Sequence, residues 1–330
     1  MDELNVAITF RLREEHLRQI TAVNPRIKVW DVAQQAGVEV REGRPAGEEL
    51  DSVLQKAEVI YGLRLPSNLL SRAPRLKWAQ MVSAGVDFVD KAVSESEVII
   101  TTASGIHAVP ISEWVLAMSL MFAKQAPRLW ANQQRKHWER FVPAELSGKT
   151  MGVIGLGNIG AQVARLAKAF GMRIVASRRS QVAPAFGEGD TDELLPPSQL
   201  HDLLARSDFV VVSLPLTTET TKLIGEPELR AMKASAYLIN IARGAIVDEA
   251  VLIRALKEDW IAGAGLDVFE TEPLPPDSEL WELPNVILSP HITGMTEEYQ
   301  TRATELFCEN LRRYLAGQKL INEVEKEKGY

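Results

Sequence analysis

Cysteine is almost missing: Cys308 stands alone among 330 residues, so no disulfide can form within the chain and a cross-linked scaffold is excluded. A cytoplasmic location is the expectation, and the opening Met1-Asp-Glu-Leu-Asn5 lacks the basic start and apolar core of a secretory signal. Long hydrophobic runs are missing as well. The greasiest stretch, Trp114 to Ala123, spans ten residues, about half of the roughly 20 that a membrane-crossing helix needs, so it reads as a buried helix and no membrane partner is expected. There is no excess of positive charge either. Lys and Arg number 37 against 44 Asp and Glu, a formal charge of −7, which lacks the field that nonspecific nucleic-acid binding draws on. His16, His107, His137 and His201 lie in segments without metal-ligand spacing, so no metal is expected. His16, His137 and His201 read as surface or capping residues, while His107 precedes a long helix and is expected to face a cleft.

What is present is an ordinary globular composition, 46% hydrophobic and 25% charged, in a length that suggests about two domains. Clusters rich in Val and Ile alternate with stretches of helical spacing, the pattern of strands and helices around parallel sheets. A first series of strands is expected at Val6–Phe10, Ala57–Tyr61, Leu76–Met81 and Val98–Thr101, with helices over 11–23, 47–56 and 86–92. A second series is expected at Met151–Ile154, Arg173–Ala176, Phe209–Ser213, Tyr237–Ile241, Ala264–Val268 and Val286–Leu288. The fold class is therefore α/β, two Rossmann-like doubly wound parallel-sheet domains with a cleft between them.

Between the series runs a helix from Val109 to Lys124, apolar on more than one face, and then a polar segment bearing Trp130 and Trp138. From Thr296 the chain reads as one amphipathic helix with Leu306, Leu311 and Leu315 at core spacing. That helix is expected to cross back to the first domain. The substrate domain is then discontinuous, 1–103 with 295–330, and the dinucleotide domain is 104–294. Gln181 to Pro197 is long for a connection inside a sheet and is expected to be mobile or functional.

Thr150-Met-Gly-Val-Ile-Gly155-Leu-Gly157-Asn158-Ile159-Gly160 sets three glycines between an apolar strand and a helix. The first permits the tight turn, the second lets backbone approach a pyrophosphate, and the third lets helix and strand pack closely. The pyrophosphate then meets free N–H groups at the positive end of the helix dipole. An acid near the end of the next strand would accept from a ribose 2′-hydroxyl. Here the chain has Ser177-Arg178-Arg179 instead. A guanidinium pairs with a 2′-phosphate, so NADP(H) is expected as cofactor, with NAD(H) used less efficiently.

Three polar residues each follow a separate strand of the second series. Arg243 lies in Asn240-Ile-Ala-Arg-Gly-Ala-Ile-Val-Asp248-Glu249, Glu272 in Gly265-Leu-Asp267-Val-Phe-Glu-Thr-Glu-Pro273, and His291 in Ser289-Pro-His-Ile-Thr-Gly294. Ligands bind beyond the carboxyl ends of strands in open parallel sheets, so an Arg, a Glu and a His can converge there. Asp248 and Glu249 read as the start of a helix over 249–257.

These segments, in this order, resemble the successive signatures of the D-isomer-specific 2-hydroxyacid dehydrogenases, and the resemblance covers nearly the whole chain, including Ser213-Leu-Pro-Leu-Thr217 through Thr220. It is closest to the NADPH-preferring glyoxylate/hydroxypyruvate reductase branch. The resemblance implies reduction of a small 2-keto acid to the D-2-hydroxy acid, and the reverse oxidation. It implies that Arg243 binds the substrate carboxylate and carbonyl, that His291 is the general acid/base, and that Glu272 orients and charges His291. Around the cofactor it implies Gly155, Gly157, Asn158, Ile159, Gly160, Ser177, Arg178, Arg179, Leu214, Pro215, Thr220, Ile241, Ala242, Asp267 and Gly294. Val82-Ser83-Ala84-Gly85-Val86-Asp87 is similar to the family's carboxylate-binding loop; Tyr61-Gly-Leu-Arg64-Leu-Pro66 is expected to line the same pocket, with Arg64 either selecting a second anionic or hydroxyl group or standing as a solvated loop residue. The amides from Ser83 to Val86 are expected to open a helix.

The chemistry suits those roles. Keto-acid reduction needs a proton for the developing alkoxide, and an imidazole beside a carboxylate supplies one near neutral pH. Arg offers a fixed fork of donors that Lys does not match. Glu272 also separates the chain from formate dehydrogenases, which resemble this fold but carry Gln there. Corepressors of the C-terminal-binding-protein type share the fold and the Arg, Glu, His set, which makes nucleotide-controlled assembly the alternative function. Family resemblance further implies a homodimer, with the 109–124 helix at the interface and the Arg128–Phe141 arm reaching outward.

Overall fold

Strands of the amino-terminal part pair only in parallel, each with its helix on one face or the other. The computed structural model describes residues 3–42, 47–86, 89–179 and 188–325. By internal contacts the chain divides into two units, Met1–Ile106 with Thr296–Tyr330, and His107–Met295. In chain order, unit 1 begins with β1 (Leu4–Ile8), α1 (Glu14–Thr21), β2 (Ile27–Asp31), α2 (Ala33–Glu42), α3 (Glu48–Leu54) and β3 (Val59–Gly62). It continues with α4 (Leu69–Arg72), β4 (Trp78–Met81), α5 (Lys91–Ser94) and β5 (Ile99–Thr101). The sheet order is β2-β1-β3-β4-β5. This is five strands where sequence reading expects four, because β2 is an edge strand of which Ile27 alone is buried. Of the helix expected over 86–92, residues 87 and 88 lie outside the described residues, and α5 starts at Lys91, capped by the Asp90 carboxylate, which accepts from the Ala92 amide.

Unit 2 opens with α6 (Ala108–Ala123) and α7 (Ala126–Gln134). Its strands are β6 (Thr150–Ile154), β7 (Arg173–Ser177), β8 (Glu193–Leu195), β9 (Phe209–Val212), β10 (Tyr237–Asn240), β11 (Gly263–Leu266) and β12 (Val286–Leu288). Between them lie α8 (Asn158–Ala169), α9 (Leu200–Arg206), α10 (Glu226–Ala231) and α11 (Glu249–Lys257). The seven strands run in the order β12-β11-β10-β9-β6-β7-β8, one more than the six expected. The extra strand, β8, lies inside the segment read as an irregular insertion, and 181–187 of that segment are outside the described residues. Strand alternation separates the two faces: Phe209 and Val211 pack with Val115, Met118 and Phe122 of α6, while Val210 and Val212 pack with Leu203, Leu229 and Leu252. Helices thus cover both sides of a doubly wound sheet.

The last helix, α12 (Tyr299–Leu315), belongs to unit 1. Phe307 is fully buried and stacks on Tyr61 at 4.1 Å between ring centroids. Phe307, Cys308 and Leu311 carry the buried face, whereas Leu306 and Leu315 are half-buried, so the core stripe lies beside the one that the leucines mark. His16 is also buried, on the same face of α1 as Ile20, and is not the surface residue expected. Beyond α12, the Val324 amide donates to the Ile100 carbonyl at 2.9 Å. Asn310 ties this tail to the sheet: its side-chain amide donates to Gln80 Oε1 at 2.9 Å and its oxygen accepts from the Ile321 amide at 2.7 Å. Among the described residues no helix is long and apolar enough to cross a membrane.

Candidate active site

Strand order in the second sheet reverses between β6 and β9, and loops leaving the carboxyl ends of strands diverge at such a point to open a crevice. After β6 the chain turns at Gly155, whose φ of +102° lies where L side chains rarely go. A Cβ on Gly160 would stand 2.1 Å from the Gly155 carbonyl oxygen, so only glycine lets α8 start this close to the strand. The Ser213 hydroxyl, from the end of β9, donates to that same carbonyl at 2.7 Å. At Gly157 a Cβ would meet no atom within 4 Å. The space over the start of α8 is therefore open, and the first-turn amides, including Ile159 and Gly160, have no acceptor within the helix. A dinucleotide pyrophosphate fits this cradle in shape and charge.

The neighbouring loops continue it. Ser177 is buried at the end of β7, Arg178 is half-buried, and exposed Arg179 pairs with Glu219 at 3.1 Å. The residues that end this strand, Ser177-Arg178-Arg179, include no acid. The loop Leu214–Thr220 is closed on itself, with the Thr220 hydroxyl donating to the Pro215 carbonyl at 2.7 Å and accepting from the Thr217 amide at 2.8 Å.

Arg243 follows β10 on a loop braced by Asn240, whose side-chain amide donates to the Arg243 carbonyl at 3.0 Å and whose oxygen accepts from the Ala242 amide at 3.1 Å. Ile241 and Ala242 are buried beneath it. Gly244 presses this loop onto the next one: a Cβ there would stand 1.8 Å from the Phe269 carbonyl carbon. The Arg243 loop and the loop carrying Glu272 thus pack backbone to backbone.

Glu272 has both oxygens engaged. Oε1 accepts from the Phe269 amide at 3.1 Å and Oε2 lies 2.7 Å from His291 Nδ1. A carboxylate accepts only, so Nδ1 carries the proton, and among the described residues no hydrogen bond reaches Nε2 of this exposed imidazole. His291 itself has a left-handed backbone, φ 53°, uncommon for a residue with a side chain. Asp267 holds it there. Its carboxylate, 1% exposed, accepts from Ser289 Oγ at 2.5 Å, the Ile292 amide at 3.0 Å and Thr293 Oγ1 at 2.6 Å. The Asp267 carbonyl accepts from the His291 amide at 2.8 Å. Asp267 therefore fixes the turn that presents the imidazole. Asp248 caps α11 by accepting from the Val251 amide at 3.3 Å, as expected.

His107 sits just ahead of α6, 8% exposed, with its ring so close to Gly294 that a Cβ there would stand 2.8 Å from Cδ2. Burial, and then the charge of Arg243, push it down to about 4, so it stays neutral at neutral pH and is no proton donor. Sequence reading misses Ser213, Gly244, Ser289 and Thr293 as positioning residues. The polar letters flanking His291 carry a signal; the backbone contact at Gly244 carries none.

In unit 1, Arg64 is exposed after β3, and Ser83 to Val86 follow β4. Asp87 lies outside the described residues. Since α5 begins only at Lys91, the amides of 83–86 do not open a helix as expected. Among the described residues those amides donate to no protein acceptor.

Residues 116–293 match the family model for the NAD binding domain of D-isomer specific 2-hydroxyacid dehydrogenases. The chain belongs to that family. Among relatives of this 2-hydroxyacid dehydrogenase, the glyoxylate reductase of Aeropyrum pernix is 36% identical over 314 residues, 91% of this chain and 90% of the relative. Of solved structures, the NADPH-dependent glyoxylate/hydroxypyruvate reductase of Sinorhizobium meliloti, in complex with NADP and sulfate, is 27% identical. Its TM-score is 0.83, with 99% of this chain and 100% of that one covered. A D-isomer specific 2-hydroxyacid dehydrogenase from Xanthobacter autotrophicus Py2, in complex with NADPH and MES, is 29% identical with a TM-score of 0.83, covering 99% and 100%. The dehydrogenase is thus an oxidoreductase of small 2-keto and 2-hydroxy acids that uses a nicotinamide cofactor.

Proposed function

We propose that this dehydrogenase reduces a small 2-keto acid of the glyoxylate/hydroxypyruvate kind to the D-2-hydroxy acid with NADPH, and catalyses the reverse oxidation. The observation that carries the reading is the 2.7 Å contact between His291 Nδ1 and Glu272 Oε2, on a loop packed against the one bearing Arg243. The first-turn amides of α8 with Ser177 and Arg178 would hold NADPH, which when bound would supply a hydride equivalent for the keto carbon. His291 Nε2 delivers the proton that the keto oxygen takes up. Glu272 fixes the tautomer and shares the positive charge, and Asp267 fixes the backbone beneath. Arg243 donates its fork to the substrate carboxylate and carbonyl, drawing electron density from the carbon to be reduced. The Ser83–Val86 amides are assigned to the carboxylate and Arg64 to the substrate side chain.

Three lines support the substrate and cofactor: the glyoxylate reductases among its relatives, the NADP(H) complexes among similar structures, and the arginines at the end of β7. The test is NADPH oxidation against glyoxylate, hydroxypyruvate, pyruvate, phenylpyruvate and 2-ketogluconate, run in parallel with NADH. Turnover is expected to be highest with the first two acids and NADPH. Arg178→Ala should lower kcat/KM for NADPH by about 10- to 150-fold, the range for losing one charged hydrogen bond, and leave NADH little changed. Equal use of NADH and NADPH by the unaltered enzyme would overturn the cofactor assignment.

We also propose a homodimer built on α6, α7 and the arm after them. Trp130, Trp138 and Val142 are 53%, 87% and 91% exposed, while Arg128 stiffens the arm by pairing with Glu139 and lying 4.5 Å over the Phe141 ring. A stiff arm presenting large apolar side chains fits an interface. Light scattering should give twice the chain mass, and Trp138→Glu should give the monomer; a monomeric unaltered protein would refute this.

A further inference from the structure

We propose that Tyr299, on α12, is a positioning residue for the substrate carboxylate: its hydroxyl aims and polarises the Ser83 amide. The proposal rests on the reading that the loop Ser83–Val86 takes that carboxylate. A trans peptide is planar, with the carbonyl of one residue and the N–H of the next pointing opposite ways. Whatever binds the Val82 carbonyl therefore decides where the Ser83 N–H points.

The Tyr299 hydroxyl donates to the Val82 carbonyl at 2.7 Å. The same logic runs along the loop. The Ala103 amide donates to the Ser83 carbonyl at 2.8 Å, which sets the Ala84 amide. The Ser83 hydroxyl donates to the Gly85 carbonyl at 2.8 Å, which sets the Val86 amide. The carbonyls of Val82, Ser83 and Gly85 are engaged by protein donors, while the amides of Ser83, Ala84, Gly85 and Val86 have no protein acceptor among the described residues. Successive amides in that state form a concavity for an anion.

Two of these ties are local to the loop and to the end of β5. The third comes from a side chain 217 residues away, so it can be removed without altering the loop's own sequence. Tyr299 is suited to the role. It is packed against the aromatic and aliphatic core of unit 1, and burial pushes its hydroxyl up to about 12, so it remains a donor throughout the neutral range. A hydrogen bond to a carbonyl also strengthens the N–H at the other end of the same peptide, by about 10–30%.

Tyr299→Phe removes one oxygen and keeps the ring. Its KM for the keto acid should rise about 2- to 10-fold, the size of one net hydrogen bond. Saturated kcat, NADPH affinity by fluorescence titration, and Tm should stay as in the unaltered enzyme. Ala84→Pro, which deletes an amide of the loop itself, tests the underlying reading and should raise the same KM. A raised KM in Ala84→Pro with an unchanged one in Tyr299→Phe would overturn the role of the tyrosine and leave the loop assignment standing. If neither variant moves KM, the loop is not the carboxylate subsite and both fall. Parallel losses of kcat, NADPH affinity and Tm in Tyr299→Phe would show a tyrosine that only holds the fold, which also overturns the proposal.

Discussion

Replacing His291 with asparagine is expected to lower kcat for keto-acid reduction by about 10²- to 10⁴-fold, the usual worth of general acid catalysis, with the cofactor dissociation constant unchanged. Asparagine is the conservative choice because it tolerates the left-handed backbone that His291 adopts, φ 53°. The turn should therefore survive, since its ties run from Asp267 to the Ser289 hydroxyl and to the amides of His291, Ile292 and Thr293 rather than to the imidazole. Glu272 loses one partner but keeps the Phe269 amide at 3.1 Å. What disappears is the ring nitrogen that carries the proton for the keto oxygen. Steady-state kinetics with the keto acid, paired with fluorescence titration of NADPH, separates the two effects. Turnover at the level of the unaltered enzyme would remove His291 from the role of proton donor.

The second large effect is on stability. Glu39 is 4% exposed and accepts from Arg72 Nη1 at 2.8 Å, the Ser67 amide at 2.7 Å and the Ser67 hydroxyl at 2.8 Å. Arg72 in turn donates to Asp51 at 2.6 Å, so one ionic cluster joins α2, α3 and the loop after β3. Glu39→Ala strands the guanidinium with its side chain only 12% exposed, and removing one partner of a buried pair costs about 3–5 kcal/mol. The remaining Asp51 contact favours the lower end. Urea unfolding should show the loss as a lower midpoint. Glu39→Met combined with Arg72→Leu should cost less than Glu39→Ala, because desolvating neither charge is cheaper than desolvating one alone. A single mutant as stable as the parent would mean that the cluster contributes nothing net. Ser67 closes the loop that carries Arg64, so the single mutant should also raise KM for the keto acid.

The central strands are legible in the sequence because they are buried on both faces: Val210 to Val212 and Leu238 to Ile239 are apolar without interruption. The edge strands are not. In β2 Lys28 and Asp31 interrupt the apolar signal, and in β8 Leu195 alone is buried, as suits strands that must not recruit further partners. The site divides in a similar way. Arg243, Glu272 and His291 are legible because each is a reactive residue just past a strand. Their supports are not, since contacts such as Gly244 on the Phe269 backbone, Asn310 on Gln80 and Tyr299 on Val82 join positions whose separation along the chain carries no period. His16 shows the limit of reading residue type alone: a histidine in a charged helix is placed inside by its spacing from Ile20, not by its chemistry.

The placement of α12 has a consequence for how the chain is made. Unit 2 is one continuous stretch, His107–Met295, whereas unit 1 is split between the two ends of the chain. During synthesis the first sheet emerges before unit 2, but Tyr61 and Trp78 lack the ring of Phe307, and Gln80 lacks Asn310, until α12 leaves the ribosome. The second unit can finish its core while the first still waits with aromatic surface uncovered. A helix made after unit 2 thus completes the unit begun before it, and a message truncated ahead of α12 leaves the earlier sheet, not the later one, half finished.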